Sequence, residues 1–238
     1  MAALSQRTVL VTGASGNLGQ AVCRKLLAEG ARVAGLVTKA EAGDRLRTAL
    51  GAGQPFQPIV GQLSDDASAE AVVAAAEAKL GPLWAAVHTV GGWAGGKPVA
   101  DSGVADLDAM LAVNLRTAFV LSRAAMRSFA PRKEGRIVAV AAYTAAASVK
   151  LAGSAAYAAS KAGLIGLIKA VAEEGAAVGV RASCVAPGTM RTPQNAAGMP
   201  SADASRWVAL EEVAAAISFL CDPAASGVNG NVVLLPER

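Results

Sequence analysis

The stretch Thr8-Val-Leu-Val-Thr-Gly-Ala-Ser-Gly-Asn-Leu-Gly19 decides the fold of this chain. Three of its first four residues are β-branched, which is typical of a buried strand. The three glycines that follow permit a tight turn, and the alanine- and leucine-rich residues 17–29 predict a helix. A strand that turns on glycine into a helix is typical of the first half of a β-α-β unit.

The same turn predicts a nucleotide-binding site. Small residues let the backbone approach a pyrophosphate, while the N–H groups and the dipole of the helix face its negative charge. The predicted contacts are Gly13, Ser15, Gly16, Asn17, Leu18 and Gly19. The glycine spacing differs from the G-x-G-x-x-G of the common dinucleotide fingerprint. A turn that uses glycine only for tight packing is the alternative interpretation.

Strand-like and helix-like segments alternate along the whole chain. The short apolar runs are 8–11, 32–37, 56–60, 83–88, 136–141, 180–185 and 231–235. The helical segments between them are 17–29, 40–50, 66–80, 105–130, 156–178 and 211–221. This alternation predicts one doubly wound, Rossmann-like α/β domain over 1–238, with a seven-stranded parallel sheet and helices on both faces. The region 187–207 lacks clear periodicity, and we expect it to form a substrate loop.

Composition limits the classes of function. The chain has 238 residues, of which 53% are hydrophobic and 17% charged, and its net charge is +4. Basic residues are scattered and aromatic residues are few, so we expect no nucleic-acid partner. No uncharged apolar run reaches the roughly 18 residues of a membrane helix, and no leader pattern is present. Three separated cysteines indicate a reduced, cytoplasmic protein, and a single histidine (His88) leaves no metal site to predict.

The end of the second predicted strand bears on the choice of nucleotide. An NAD-selective site places a carboxylate there, but this strand ends Val37-Thr38-Lys39. A missing acid and a nearby cation favour NADP(H), with Thr38 and Lys39 as contacts, while NAD(H) remains possible because Glu41 is close. Leu63, after the third strand, and Gly91, after the fourth, complete the predicted cofactor contacts on this half of the chain.

Tyr157 and Lys161 are the candidate catalytic pair. They lie four residues apart in an alanine-rich helical segment, so both side chains leave the same face of the helix. A Lys ammonium one turn away favours the phenolate and lowers the pKa of the phenol, which makes the tyrosine a usable proton donor or acceptor. An exposed helix face with no chemical role is the alternative.

With these residues in place, the chain resembles the short-chain dehydrogenase/reductase family over essentially its whole length. The resemblance rests on Thr12-Gly13…Gly19, on Asn114, on Tyr157-x-x-x-Lys161, and on Val185-Ala-Pro-Gly-Thr-Met-Arg-Thr192. It implies hydride transfer with NAD(P), Tyr157 as acid/base, and Lys161 on the nicotinamide ribose. It also implies a water seated by Asn114, a nicotinamide flanked by Pro187, Gly188 and Thr189, and a homotetramer or homodimer packed through helices near 105–130 and 156–178.

The chain departs from the family at the serine that usually precedes the tyrosine and binds the substrate carbonyl. Counting back from Tyr157 leads to Thr144, whereas counting forward from Gly135 leads to Ala142. Either Thr144 replaces the serine as a catalytic donor and substrate contact, or nothing does. The second departure is Ala86-Val-His-Thr-Val-Gly91, where the family often has paired asparagines.

Both departures resemble the dihydropteridine reductase branch, which also lacks the serine. In the segment Gly91-Gly-Trp-Ala-Gly-Gly96, Trp93 is expected to stack on a flat substrate ring, although packing against the sheet is the alternative. Met190 is a further candidate substrate contact, unless it only covers the core.

Three functions follow from these observations. The first is reduction of a small conjugated C=N or quinonoid, pterin-like, or carbonyl substrate, with Tyr157 as proton donor. The second is ordinary ketone/alcohol chemistry that uses Thr144 as a second donor. The third is a non-catalytic NADP-binding sensor. The intact set Asn114, Tyr157 and Lys161 favours an enzyme over a sensor.

Overall fold

A computed structural model describes residues 4–238. Its centre is one seven-stranded sheet with strand order β3-β2-β1-β4-β5-β6-β7, and every neighbouring pair is parallel. The strands are β1 (Thr8–Thr12), β2 (Arg32–Val37), β3 (Phe56–Val60), β4 (Leu83–His88), β5 (Gly135–Val140), β6 (Val180–Pro187) and β7 (Val232–Leu235). The order reverses between β1 and β4, as in doubly wound folds. The fold predicted from the sequence is confirmed.

Nine α-helices lie within the described residues. They are α1 (Asn17–Ala28), α2 (Ala40–Leu50), α3 (Asp66–Leu80), α4 (Val104–Met110), α5 (Thr117–Phe129), α6 (Tyr143–Ala147), α7 (Ala155–Ala176), α8 (Pro193–Gly198) and α9 (Leu210–Cys221). The segment 105–130, predicted as one helix, is divided into α4 and α5 by a π-helical turn at Leu111–Arg116. The short helices α6 and α8 were not predicted.

The core lies on both faces of the sheet, because side chains of a strand alternate between the two faces. Val9 and Val11 of β1 pack with residues of α1 and α9, including Val22 and Ile217. Leu10, between them, packs on the other face with residues of α3, α5 and α7. Burial on both faces explains why the strands are nearly continuous apolar runs.

Helix α7 is long and apolar enough to span a membrane by length and composition alone. Its apolar side chains Leu164 and Ile168 are buried in the core beneath the sheet, and Lys161 is buried beside them. These contacts are typical of the central helix of a globular α/β domain. Because all strands are parallel, their carboxyl ends meet at one edge of the sheet, and the candidate site lies there.

Candidate active site

Helix α7 carries both Tyr157 and Lys161 to the carboxyl edge of the sheet. Tyr157 lies in the first turn of the helix, and Lys161 follows one turn later. Lys161 is only 4% exposed, and its Nζ donates a hydrogen bond to the carbonyl oxygen of Val140 at 2.8 Å. This bond ties the ammonium to the end of β5 and leaves two of its three hydrogens available.

The electrostatic relationship predicted for this pair is wrong in one respect. The sequence predicts that Lys161 lowers the pKa of Tyr157, but burial raises the pKa of the phenol to about 12. Burial also lowers the pKa of Lys161 to about 8. Desolvation penalises the charged form of each group and outweighs their proximity along the helix. At neutral pH Tyr157 is therefore a protonated phenol, able to donate its proton.

Asn114 lies within the π-helical turn between α4 and α5 and is fully buried. Its Oδ1 accepts from the backbone N–H of Gly92 at 2.9 Å, and its Nδ2 donates to the carbonyl oxygen of Gly92 at 3.0 Å. The same Nδ2 donates to Ser160 Oγ at 3.0 Å, and that hydroxyl donates to the carbonyl oxygen of Tyr157 at 2.7 Å. Asn114 thus joins the loop after β4 to the helix that bears Tyr157.

Ser160 was missed by the sequence reasoning. A serine three residues after Tyr157 that lies on the inner side of an apolar helix was the available signal, because a buried hydroxyl requires a partner. In the structure Ser160 is fully buried and provides the link between Asn114 and Tyr157.

The glycine turn between β1 and α1 fits a dinucleotide. Gly13 has a φ of +64°, and a Cβ atom at Gly19 would lie 2.2 Å from the Gly13 carbonyl oxygen, so both positions require glycine. The residue that precedes α1 is Gly16, which has no side chain to cap the first N–H groups of the helix. Thr12 Oγ1 is buried without a hydrogen-bond partner among residues 4–238. An anion with several acceptor oxygens suits these donors.

The loop after β4 lies between the glycine turn and the residues Asn114 and Lys161. A Cβ atom at Gly91 would lie 3.0 Å from Asn114 Oδ1 and 3.1 Å from Lys161 Nζ. The hydroxyl of Thr89, just before this loop, donates to the carbonyl oxygen of Thr12 at 2.6 Å. The predicted residues Gly13, Gly91 and Lys161 therefore lie near one another at the carboxyl edge of the sheet.

Beside the glycine turn lies a cavity of about 250 Å³, which is lined by Ser15, Gln20, Ala42, Arg45, Leu46 and Ala49. Lys39 is exposed directly before α2, three residues before Ala42, which lines this cavity. Arg45 is a second cation near the glycine turn, and the sequence reasoning missed it. The signal was its position, six residues after Lys39 on the helix that follows β2. Leu63, by contrast, packs into the hydrophobic core.

The three candidate substrate contacts have different environments. Trp93 is 66% exposed, so it does not serve as a packing cap on the sheet. Its loop is fixed by a hydrogen bond from Gly96 N to the carbonyl oxygen of Gly153 at 2.7 Å, just before α7. Thr144 is half-buried on α6, and Ala142, directly before α6, is buried. Met190 packs against the core, which favours its structural role.

The region 187–207 is more ordered than the sequence predicted. It contains α8 and a 3₁₀ turn at Ala204–Arg206, and a bridge between Met190 and Val208 joins its two ends. Asn17 Nδ2 donates to Gln194 Oε1 at 2.5 Å, which links α8 to the glycine turn. The loop therefore lies over the start of α1.

His88 has a structural environment. It is 1% exposed, its Nε2 lies 3.0 Å from Thr117 Oγ1, and burial lowers its pKa to about 3, with Lys161 acting in the same direction. The three cysteines are free and buried, and burial raises the pKa of each thiol to about 12. Within residues 4–238, no group of three His, Cys, Asp or Glu side chains could hold a metal ion.

Comparison with known proteins identifies the family. Residues 7–201 match the model of the short chain dehydrogenase family. The chain is 31% identical over 237 residues to the 3-oxoacyl-[acyl-carrier-protein] reductase FabG of Salmonella typhimurium, covering 95% of this chain and 94% of that protein. It is also 31% identical over 237 residues to the D-threitol dehydrogenase of Mycolicibacterium smegmatis, covering 95% and 90% respectively.

Solved structures agree with the sequence comparison. A short-chain dehydrogenase/reductase from Serratia marcescens is 29% identical with a TM-score of 0.87, covering 99% of this chain and 98% of that chain. The crystal structure of gox2181 is 26% identical with a TM-score of 0.92, covering 98% and 95%. The chain belongs to the short-chain dehydrogenase/reductase family, and it is an oxidoreductase of a family that uses NAD(P)(H). The resemblance to the dihydropteridine reductase branch is not confirmed.

Proposed function

We propose that the protein is an NADPH-preferring reductase that transfers a hydride to the carbonyl group of a small molecule. The observation that carries this proposal is the set formed by the half-buried Tyr157 and the buried Ser160, Asn114 and Lys161 at the carboxyl edge of the sheet. The reductase and dehydrogenase names of its relatives support carbonyl/alcohol chemistry.

Tyr157 is the proton donor in this proposal. A bound reduced nicotinamide would supply the hydride to the carbonyl carbon. The pKa of about 12 keeps the Tyr157 phenol protonated, so it can neutralise the negative charge that develops on the carbonyl oxygen. Lys161, with two free ammonium hydrogens, is available to hold ribose hydroxyls and to return a proton to the phenol.

Asn114 acts through its position. Its amide oxygen and nitrogen are already bonded to Gly92 and Ser160, so a water seated by this residue would bind its backbone carbonyl. A π-helical turn interrupts the regular hydrogen bonding of a helix and is frequent at functional sites. The proton relay would then run from this water through Lys161 to Tyr157.

Thr144 is the proposed second donor to the carbonyl oxygen, since it is the half-buried hydroxyl that lies thirteen residues before Tyr157. A pterin-like, quinonoid substrate is the second candidate. It is favoured by the large exposure of Trp93 beside the site and by alanine at position 142, because a conjugated ring disperses charge without a second donor. Loop 187–207 would cover either substrate.

The preference for NADPH is supported by the charges near the glycine turn. Lys39 directly precedes the helix after β2, and Arg45 lies on this helix and lines the cavity that Ser15 borders. Two cations in this region suit the extra phosphate of NADP(H) better than the neutral ribose of NAD(H). NADH therefore remains the weaker cofactor in this proposal.

We also propose a cytoplasmic homotetramer or homodimer. Val104, Leu107 and Phe119 expose large apolar side chains on α4 and α5, the region expected to pack between subunits. An exposed apolar face of this kind is typical of a subunit contact. Three buried free thiols fit a reducing compartment. Relatives in this family are commonly oligomeric and act on small molecules.

The decisive experiment measures oxidation of NADPH and NADH with a panel of 3-oxoacyl thioesters, small ketones, quinones and a quinonoid dihydropterin. We expect turnover of a carbonyl substrate with NADPH, and a loss of roughly a hundred-fold or more in Tyr157→Phe. Tyr143→Phe is the matched control, because Tyr143 is the other tyrosine of the chain. Turnover of the pterin alone would favour the second candidate. Full activity in Tyr157→Phe would contradict both.

A further inference from the structure

A carboxylate lies against the turn formed by Pro187, Gly188 and Thr189, which the family resemblance places beside the nicotinamide. The backbone N–H of Thr189 donates to Glu237 Oε1 at 3.1 Å. A Cβ atom at Gly188 would lie 3.0 Å from Glu237 Cγ and 3.2 Å from its backbone nitrogen. The side chain of Glu237 therefore covers the turn formed by Pro187, Gly188 and Thr189.

The segment that carries Glu237 is fixed on both sides. Before it, the carbonyl oxygen of Leu235 accepts from Gly188 N at 2.8 Å. After it, Arg238 N donates to the carbonyl oxygen of Arg206 at 2.9 Å, and Arg206 Nε donates back to the carbonyl oxygen of Arg238 at 2.5 Å. Arg238 also pairs with Glu212 on α9. These contacts fix the backbone on both sides of Glu237, and none of them pairs a cation with its carboxylate.

The carboxylate is ionised at neutral pH. Hydrogen bonds from Thr189 hold the pKa of Glu237 below its ordinary value, and the charges of Lys150 and Arg206 act in the same direction. Neither cation forms an ion pair with Glu237 within 4.0 Å among the described residues. A negative charge that takes no part in the proposed proton relay thus remains beside the turn formed by Pro187, Gly188 and Thr189.

We propose that Glu237 makes this site bind the oxidised cofactor more tightly than the reduced cofactor. This inference rests on the proposed function. Reduction moves a hydride, with its two electrons, to the carbonyl carbon, while Tyr157 gives a proton to the oxygen. The nicotinamide ring is neutral before this transfer and positively charged after it. A fixed carboxylate attracts the second form alone and so favours hydride transfer to the bound carbonyl substrate.

The size of the effect is limited by solvent and by neighbouring cations. Glu237 is exposed, so salt and water screen its charge, and Lys150 and Arg206 oppose it. We therefore expect a difference of roughly three- to ten-fold in relative affinity, as for a partly screened single charge.

The test is direct titration of NADP⁺ and NADPH without substrate, by calorimetry or fluorescence. Glu237→Gln keeps an acceptor oxygen for Thr189 N and removes only the charge. We expect the Kd of NADP⁺ to rise roughly three- to ten-fold while that of NADPH changes less than about two-fold. Glu211→Gln is the control, since it removes an exposed carboxylate from α9 that does not contact the turn.

Lys150→Gln provides a second arm with the opposite sign. It removes a cation that opposes Glu237, so NADP⁺ should bind more tightly relative to NADPH. An unchanged ratio of the two affinities in Glu237→Gln, or equal losses for both nucleotides, would overturn the inference. Glu237 would then only stabilise the structure of the turn. If the unmodified protein bound neither nucleotide, the proposed function itself would fail, and this inference with it.

Discussion

The side-chain amide of Asn17 donates a hydrogen bond to Gln194 Oε1 at 2.5 Å and joins two segments that lie 177 residues apart. Asn17 is the first residue of α1, directly after the glycine turn, and Gln194 lies on α8 within loop 187–207. The bond therefore crosses from the proposed pyrophosphate site to the proposed substrate loop. We expect this bond to slow the release of a nucleotide bound at the glycine turn.

We predict that Gln194→Ala accelerates cofactor release. An exposed neutral hydrogen bond contributes about 0.5–1.5 kcal/mol, so the dissociation rate of NADPH should rise roughly two- to ten-fold. Stopped-flow displacement of bound NADPH measures this rate directly. Gln54→Ala, in the exposed turn between α2 and β3, is the matched control and should leave the rate unchanged. An unaltered rate in Gln194→Ala would mean that the hydrogen bond between Asn17 and Gln194 does not limit cofactor release.

Lys161 predicts a pH dependence of cofactor binding. Burial lowers the pKa of Lys161 to about 8, so its ammonium is charged at pH 7 and loses its proton as the pH rises through that value. The cofactor is an anion, and its affinity should therefore fall between roughly pH 7.5 and 9.5. Titration of NADPH across this range measures the change.

Two variants isolate the contribution of Lys161. Lys161→Met removes the titrating group, so its NADPH affinity should be weaker and nearly flat over the same range. Lys161→Arg keeps a charge at every pH tested and should also be flat, but with tighter binding than Lys161→Met. The other buried groups titrate outside this window, because the pKa of His88 is about 3 and that of Tyr157 about 12. The same break at pH 8 in Lys161→Met would assign it to another group.

The selectivity for NADPH should depend on two cations. Lys39→Ala and Arg45→Ala are each expected to weaken NADPH binding roughly three- to thirty-fold while NADH binding changes little, because NADH lacks the extra phosphate. Arg47→Ala is the control, as Arg47 is an exposed arginine of α2 that does not line the cavity. Direct titration of both nucleotides distinguishes the outcomes. Equal losses for NADPH and NADH would remove these residues from the recognition of the phosphate.

Local sequence patterns were sufficient for the scaffold of the site. The β-branched run before Gly13 and the spacing of Tyr157 and Lys161 both follow from periodicity within a single element. Contacts between distant segments could not be predicted in this way, because no local pattern in the sequence indicates them. Ser160 meets Asn114 across 46 residues, and Glu237 meets Thr189 across 48. Their pairing depends on the packing of α7 and β7 on the sheet rather than on any local pattern.

Two predictions from the sequence are wrong because tertiary contacts and burial override the local pattern. The segment 105–130 contains neither proline nor an interior glycine, so its sequence predicts one continuous helix. The bonds that fix Asn114 to Gly92 and Ser160 are tertiary, and the helix changes to a π-helical turn where they form. The pKa of Tyr157 was predicted from its nearest charge along the helix. The Lys161 ammonium is instead held by Val140, and burial decides the sign of the shift.

Thr144 distinguishes the two substrate classes. If it donates to the developing oxyanion of a ketone, Thr144→Ala should lower kcat roughly ten- to a thousand-fold with little change in NADPH affinity. Thr144→Ser keeps the hydroxyl and should retain most of the activity, which separates loss of the donor from loss of the methyl group. A conjugated quinonoid substrate disperses the same charge over its ring, so its turnover should be nearly unaffected by Thr144→Ala. Steady-state kinetics of the three forms with both substrate classes measures the difference.

If Thr144→Ala leaves ketone turnover intact, the second donor is absent, and Ala142→Ser then tests whether a hydroxyl at the end of β5 increases the rate.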